Sequence, residues 1–432
     1  MTIIPKPTDL PGVFNAFPPK ALTEEQKGWY QPTAAVRGGE NFEFHDVLYE
    51  SIRESRDKSH ILVVGHGGCG KSTELRMLSS KLRETGIPSI TIEARDDLDM
   101  NGFTYIDIFM RIVERLTRYA QENELRIHPK IIAAFREALS TEITTQFREN
   151  TTGAALELLL NFVSSITFFL KMSSGQRVEL RQQIEPKMTK IINVLNALIL
   201  EINSGCNNKI VIVIDGLEKC KTENARKLFS DDISSLAAID THLVVACPIN
   251  IYRSPVGSIL QGYFVNPAIM PMIKTHLPLP EGKICEEGVM VIKELILKRV
   301  HASFFEEGVL EKMITMGGGS LRDTCHLVYA SAFQAYMNKR ETVNMDSVLY
   351  AMNKFASDLF YRVENKYFPT IKKIYDGDHE PSNDEHLSAL LYTGAVFEYN
   401  GKSWVDLHPL IRHYIENRPK LLEKLEQLEV RD

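Results

Sequence analysis

Cysteine is scarce and dispersed: six residues, Cys69, Cys206, Cys220, Cys247, Cys285 and Cys325, in a chain of 432. None shows the C-x-x-C spacing of a zinc site, and the density is far below that of a disulfide-built secreted scaffold. Reduced thiols in a cytoplasmic protein are the expectation. Basic residues are not in excess either. With 50 Lys and Arg against 56 Asp and Glu, the formal net charge of -6 gives no global pull toward nucleic acid and leaves that partner only a local basic face. A long hydrophobic run is also missing. Residues 154–170 are the most apolar stretch, but they are short for a span and hold Glu157, Asn161 and two serines, so a buried helix is expected and membrane contact is not. The N-terminus has no basic segment leading into an apolar core, so no signal peptide is expected.

The composition that is present, 44% hydrophobic and 25% charged, is that of a globular chain, and its length exceeds what one core usually serves. Residues 1–46 carry Pro5, Pro7, Pro11, Pro18, Pro19 and Pro32 and read as an extended arm, because proline removes a backbone donor and fixes φ. Residues 47–280 alternate strand and helix patterns. Apolar, β-branched runs at 60–64, 87–93, 209–214 and 242–246 predict buried parallel strands, with a weaker fifth at 268–275 that contains Pro271. Between about 101 and 205 only helical periodicity is visible, which predicts a helical insertion. Residues 281–345 read as a helical lid broken at Gly317, Gly318 and Gly319. In residues 346–432, a helix precedes two short strands joined at Asn400 and Gly401, a hairpin signal that predicts a winged-helix-like module. The expected fold is α/β: a parallel sheet with a helical insertion, a helical lid and a C-terminal winged-helix-like domain.

The run ILVVGHGGCGKSTEL contains G-x-x-x-x-G-K-[ST], with Gly65, Gly70, Lys71 and Ser72 at the fixed positions. Placed between a strand and a helix, this is a P-loop. Its glycines let consecutive backbone N–H groups turn inward on an anion, and the following helix aims its positive end at the same point. ATP with Mg²⁺ is therefore the expected ligand. Lys71 is expected to neutralise the β- and γ-phosphate oxygens, and Ser72 to give its hydroxyl to the metal. KIVIVIDGLEKC places Asp215 at the end of a buried strand, as a second metal-side group, and Glu218 on the following turn, where it could polarise the attacking water. In MGGGSLRDTCHLVYAS, Arg322 lies one turn into a helix, from which it could reach a γ-phosphate. Asn250 and Arg253, past the end of another strand, are further candidates. The acidic Asp96, Asp97 and Asp99 read as a solvated loop, and His408 and His413 as structural.

The ordered set of glycine-rich loop, DGLEK, GGGSLRD and a hairpin-bearing end resembles the AAA+/STAND group of P-loop NTPases, of the ASCE type. GHGGCGKSTEL, the pair Arg37-Gly38 and the closing LHPLIRHYI resemble, more narrowly, bacterial STAND-like NTPases, some associated with anti-phage defence. The resemblance implies that Gly65, His66, Gly67, Gly68, Cys69, Gly70, Lys71, Ser72 and Thr73 bind phosphates and that Arg37 lies near the adenine. It also implies that Asp215 and Glu218 manage metal and water, and that Arg322 is the lid arginine called sensor 2. An ATP-driven switch that forms a homo-oligomer and controls a protein partner follows from it. Gly216 stands where typical AAA+ ATPases have a Glu, which points to slow hydrolysis. A DNA-binding or DNA-loading factor of the origin-recognition kind is the alternative, although Glu398, Asp406, Glu423, Glu426 and Glu429 oppose a phosphate-binding face. A small-molecule kinase would need neither the insertion nor the C-terminal module.

Overall fold

The computed structural model describes residues 4–38, 42–100, 102–139, 155–217, 220, 222–279, 281–382, 384–399 and 404–427. Five parallel strands form the central sheet: β1 (His60–Gly65), β2 (Ser89–Glu93), β3 (Val211–Asp215), β4 (His242–Pro248) and β5 (Ala268–Met270), in the order β2-β3-β4-β1-β5. β4 therefore stands between the glycine-loop strand and the Asp215 strand. The near-continuous Ile and Val content of β3, buried at every position, is what a sheet covered on both faces requires. Alternate residues serve two cores. Leu62, Val64, Ile212 and Ile214 join the one containing the insertion helices, whereas Ile61, Val63, Val211 and Val213 pack with Leu75, Leu78 and Leu82 of the helix Lys71–Glu84. β5 stops at Met270, one residue before Pro271, because proline cannot donate to the ladder.

The insertion is helical, with Tyr105–Glu122, Pro129–Ala138, Ala155–Lys171, Ser174–Ile184 and Met188–Cys206. Helices Glu286–Arg299, Val309–Met316 and Leu321–Met337 follow the sheet. The turn before the last of these needs glycine for a steric reason: Gly319 has φ +82, and a Cβ there would lie 1.8 Å from the Ile273 carbonyl oxygen. The C-terminal region holds helices Met345–Phe360, Phe368–Tyr375 and Glu385–Thr393, then the antiparallel pair β6 (Val396–Tyr399) and β7 (Trp404–Leu407) and helices Pro409–Glu416 and Pro419–Glu426. The predicted Asn400-Gly401 turn lies outside the described residues.

Two expectations fail. The proline-bearing N-terminus is not an extended arm throughout. Leu10–Asn15 is a helix capped by Asp9, whose Oδ1 accepts the Gly12 N–H at 2.8 Å, and Pro11 sits in the first turn, where its missing donor costs nothing. Helix Phe44–Arg53 also begins inside the predicted arm. The acidic cluster is not a solvated loop either. Asp97 closes the short helix Ala94–Asp97 and accepts from Arg115 at 2.7 Å, and Asp99 pairs with Arg177 of the insertion. Opposite charges 18 and 78 positions away in sequence make Asp97 and Asp99 an anchor for the insertion.

Candidate nucleotide site

β1 ends at Gly65, and the chain makes one tight loop before helix Lys71–Glu84 begins. Gly68 and Gly70 have φ +92 and +111, the left-handed region in which side chains are strained. A Cβ on Gly68 would also meet Ser320 Oγ at 2.6 Å. The loop thus leaves a small concave cradle at the positive end of a 14-residue helix. Lys71 is buried, 3% exposed, and its ammonium donates to the Gly65 and His66 carbonyls at 2.8 and 2.9 Å. Those bonds fold its charge over the cradle. The donor set fits a triphosphate: inward amides, one ammonium, the Ser72 hydroxyl, and the buried Asp215 at the tip of β3. Among the described residues no group of three or more His, Cys, Asp or Glu is arranged to hold a metal.

Around this cradle lies a cavity of about 950 Å³, walled by Lys71, Ser72, Thr73, Asp215, the arm residues Trp29 and Tyr30, and the lid residues Leu321 and Arg322. Arg322 rests on the loop: its N–H donates to the Gly68 carbonyl at 3.3 Å, and its Nη1 lies 3.2 Å from where a Gly67 Cβ would be. Arg37 borders the same cavity but is a brace. Its Nη2 donates to the Cys69 carbonyl at 2.5 Å, its Nη1 to the Pro271 carbonyl and its Nε to Thr33 Oγ1 at 3.0 Å. It ties the loop to the end of β5. Arg253 does not wall the cavity; it forms an ion pair with Glu398 of β6, while Asn250 is buried and its carbonyl accepts from Ser388. Glu218 lies outside the described residues.

Three pairings escaped the sequence reading, one of them made by His66, which was expected only to hold phosphate. Glu74, one turn into the glycine-loop helix, is buried and accepts from the Tyr30 hydroxyl at 2.9 Å and contacts His45 Nδ1 at 2.7 Å. Burial, followed by the Glu74 and Glu43 carboxylates, pushes the Tyr30 phenol above its usual range. Burial alone would lower His45, but Glu74 overrides it and raises it. Glu93, the last residue of β2, forms a two-pronged ion pair with Arg76. His66, the second loop residue, accepts the Glu398 N–H at 2.8 Å and meets Phe397 edge-on. Burial, with Lys71 and Arg253 nearby, pushes its imidazole down to about 3. Glu74 had a weak signal, an acidic residue on the loop-facing side of the helix three positions after Lys71. Nothing local marks the other two.

No helix among the described residues is long and apolar enough to cross a membrane. Comparison with curated proteins gives no match. Among solved structures the chain is similar to Cdc6p from Pyrobaculum aerophilum, with 12% identity, a TM-score of 0.42, and 96% of this chain and 98% of that one covered. It is similar to ORC1 from Aeropyrum pernix, solved in complex with DNA, at 13% identity and TM-score 0.40 over 94% of this chain and 97% of that one. A third is the Holliday junction branch migration motor RuvB from Thermotoga maritima, at 12% identity and TM-score 0.31 over 85% and 87%. Residues 42–231, which hold the glycine loop, β1 to β3 and the insertion, match the model of the KAP family P-loop domain, and with the cradle at the end of β1 this chain has the P-loop NTPase fold.

Proposed function

We propose that this chain is an ATP-driven molecular switch of the AAA+/STAND kind, which hydrolyses ATP slowly and assembles or controls a protein partner in the cytoplasm. The observation that carries the reading is the position of the loop. One flank of it touches Arg322 of the lid, and the other flank touches the C-terminal pair β6–β7 through His66. A triphosphate that draws Lys71 off the Gly65 and His66 carbonyls alters both flanks at once. Differential affinity of ATP for the two arrangements is all such a switch needs.

In this reading Gly65, His66, Gly67, Gly68, Cys69, Gly70, Lys71, Ser72 and Thr73 hold the phosphates, and Ser72 and Asp215 hold Mg²⁺, which would supply positive charge to the β- and γ-oxygens. Arg322 senses the γ-phosphate, Arg37 braces the side of the pocket assigned to the adenine, and Glu218 is the water-polarising group that sequence alone nominates. Assembly into a homo-oligomer and a role in anti-phage defence rest on the resemblance of GHGGCGKSTEL and LHPLIRHYI to bacterial STAND-like NTPases. Against the origin-recognition alternative, every residue of strands β6 and β7 is buried, and the carboxylates of Glu398 and Asp406 pair with Arg253 and Arg412 of the same chain.

Calorimetry with magnesium and ATP tests the reading. Lys71→Ala should weaken binding about 10- to 100-fold, the loss expected for a charge-assisted contact. Unchanged affinity, or no affinity in the wild type, ends the proposal. Size measurement with and without ATP tests the assembly step separately.

A further inference from the structure

Hydrolysis calls for a group near the γ-phosphate that orients or deprotonates the attacking water, and the residue directly after Asp215, Gly216, has no side chain to offer. The sheet brings another carboxylate to the same edge. Glu93 is the Cα partner of Asp215 at the ends of the adjacent parallel strands β2 and β3, so its backbone stands one strand spacing, about 4.8 Å, from that of Asp215, and the two side chains leave the sheet on the same face. It walls the same cavity as Lys71, Ser72 and Asp215. Resting on the proposal above that the chain hydrolyses ATP, we propose that Glu93, in place of the Glu218 that sequence alone nominates, is the catalytic carboxylate that polarises the attacking water, and that Arg76 is its positioning residue.

Arg76 lies four residues after Ser72 on the glycine-loop helix and therefore on the same face. Its Nε donates to one Glu93 oxygen at 2.9 Å and its Nη2 to the other at 2.7 Å, while Nη1 donates to the Ala21 and Leu22 carbonyls of the N-terminal arm at 3.0 and 3.1 Å. A planar fork of this kind fixes the plane of a carboxylate in a way a lone charge does not. A carboxylate oxygen carries two lone pairs, so one Arg76 bond to each oxygen does not by itself exclude water as a further donor. In the step, the water oxygen bonds to the γ-phosphorus as the bond from that phosphorus to the β,γ-bridging oxygen breaks. The water's proton passes to Glu93, and ADP and inorganic phosphate leave. The same pair could instead only staple helix to strand, but with side chains 32% and 31% exposed such a staple contributes little to stability. The two roles therefore separate by experiment.

The test measures MgATP binding and turnover on the full chain for wild type, Glu93→Gln, Glu218→Gln and Arg76→Ala. The expected result is a rate at saturating ATP about 100-fold or more below wild type for Glu93→Gln, with MgATP affinity within about threefold. Glu218→Gln should retain the faster rate of the two. Arg76→Ala should lose about tenfold in kcat with little change in KM, since it displaces the carboxylate and not the substrate. Turnover of Glu93→Gln within threefold of wild type, a slower Glu218→Gln, or joint loss of binding and turnover in Glu93→Gln would each overturn the assignment. A wild type that binds MgATP without hydrolysing it would also overturn it, while leaving the switch standing; a wild type that does not bind would remove the nucleotide reading itself.

Discussion

The two flanks of the phosphate loop are built differently. On the lid side, the contact is one backbone hydrogen bond, Arg322 N–H to Gly68, and an exposed arginine side chain lying over two glycines. On the C-terminal side, His66 receives the Glu398 N–H, Arg253 clamps the Glu398 carboxylate, the Tyr399 hydroxyl donates to the Gly318 carbonyl at 2.9 Å, and Phe397, Tyr399 and Trp404 form a small core with Cys69, Met270 and Met272. A contact made of one bond and an exposed side chain exchanges easily for a phosphate. A contact made of buried polar pairs on an apolar base opens only as a unit. In the proposed switch, the lid flank would read the nucleotide and the β6–β7 flank would hold the resting arrangement.

That contrast breaks most readily on the C-terminal side. Arg253→Ala leaves Glu398, whose side chain is 6% exposed, without its cation; amide exchange in β6 and β7 should show a loss of about 2–3 kcal/mol in opening free energy. Protection unchanged from wild type would mean that β6–β7 is not held by this pair.

Acid should act on the same flank. The His66 imidazole has its ordinary value of 6.5 when undocked and about 3 when buried against the loop, so the undocked state takes up a proton first as pH falls. The stabilisation is complete above pH 6.5 and declines toward pH 3. Asp406 contributes with the same sign: burial would raise it, but His276 and Arg412 hold it below the usual carboxylate range. Protection of β6 amides should therefore decline between pH 6.5 and pH 4, and His66→Gln should flatten part of that decline. An identical pH profile in the variant would clear His66 of the role.

The smallest effect on stability is expected at Arg322. Arg322→Ala, at an exposed position, should change unfolding midpoints by less than about 0.5 kcal/mol, yet reduce the preference for ATP over ADP about tenfold. Competition binding measures the second quantity. Equal preference for both nucleotides in the wild type would remove Arg322 from sensing.

Much of the sheet was legible from local pattern. Apolar, β-branched runs predicted four strands to within two residues at each end, while the weaker fifth began as expected but stopped at Met270, five residues short; G-x-x-x-x-G-K-S located the loop because the glycines and the lysine act within one turn of chain. Asp215 followed from the same logic, as a carboxylate ending a fully buried run. The N-terminus was misread because proline density argues against helix interiors, not against a helix whose first turn contains the proline. Glu93 looked like the last residue of an ordinary strand. Its partner Arg76 carries no local signal, and only the parallel register sets Glu93 beside Asp215.

What the amino-acid order settled by itself was strand burial and loop chemistry, whose partners lie within a few residues. Tertiary structure alone decided which polar groups face one another across the site. His66 and Glu398 stand 332 positions apart, and Tyr30 and Glu74 are 44 apart. A side chain's role in such a pair depends on the position of the other strand or helix, and that position is set by burial of the whole core and not by the sequence around either residue.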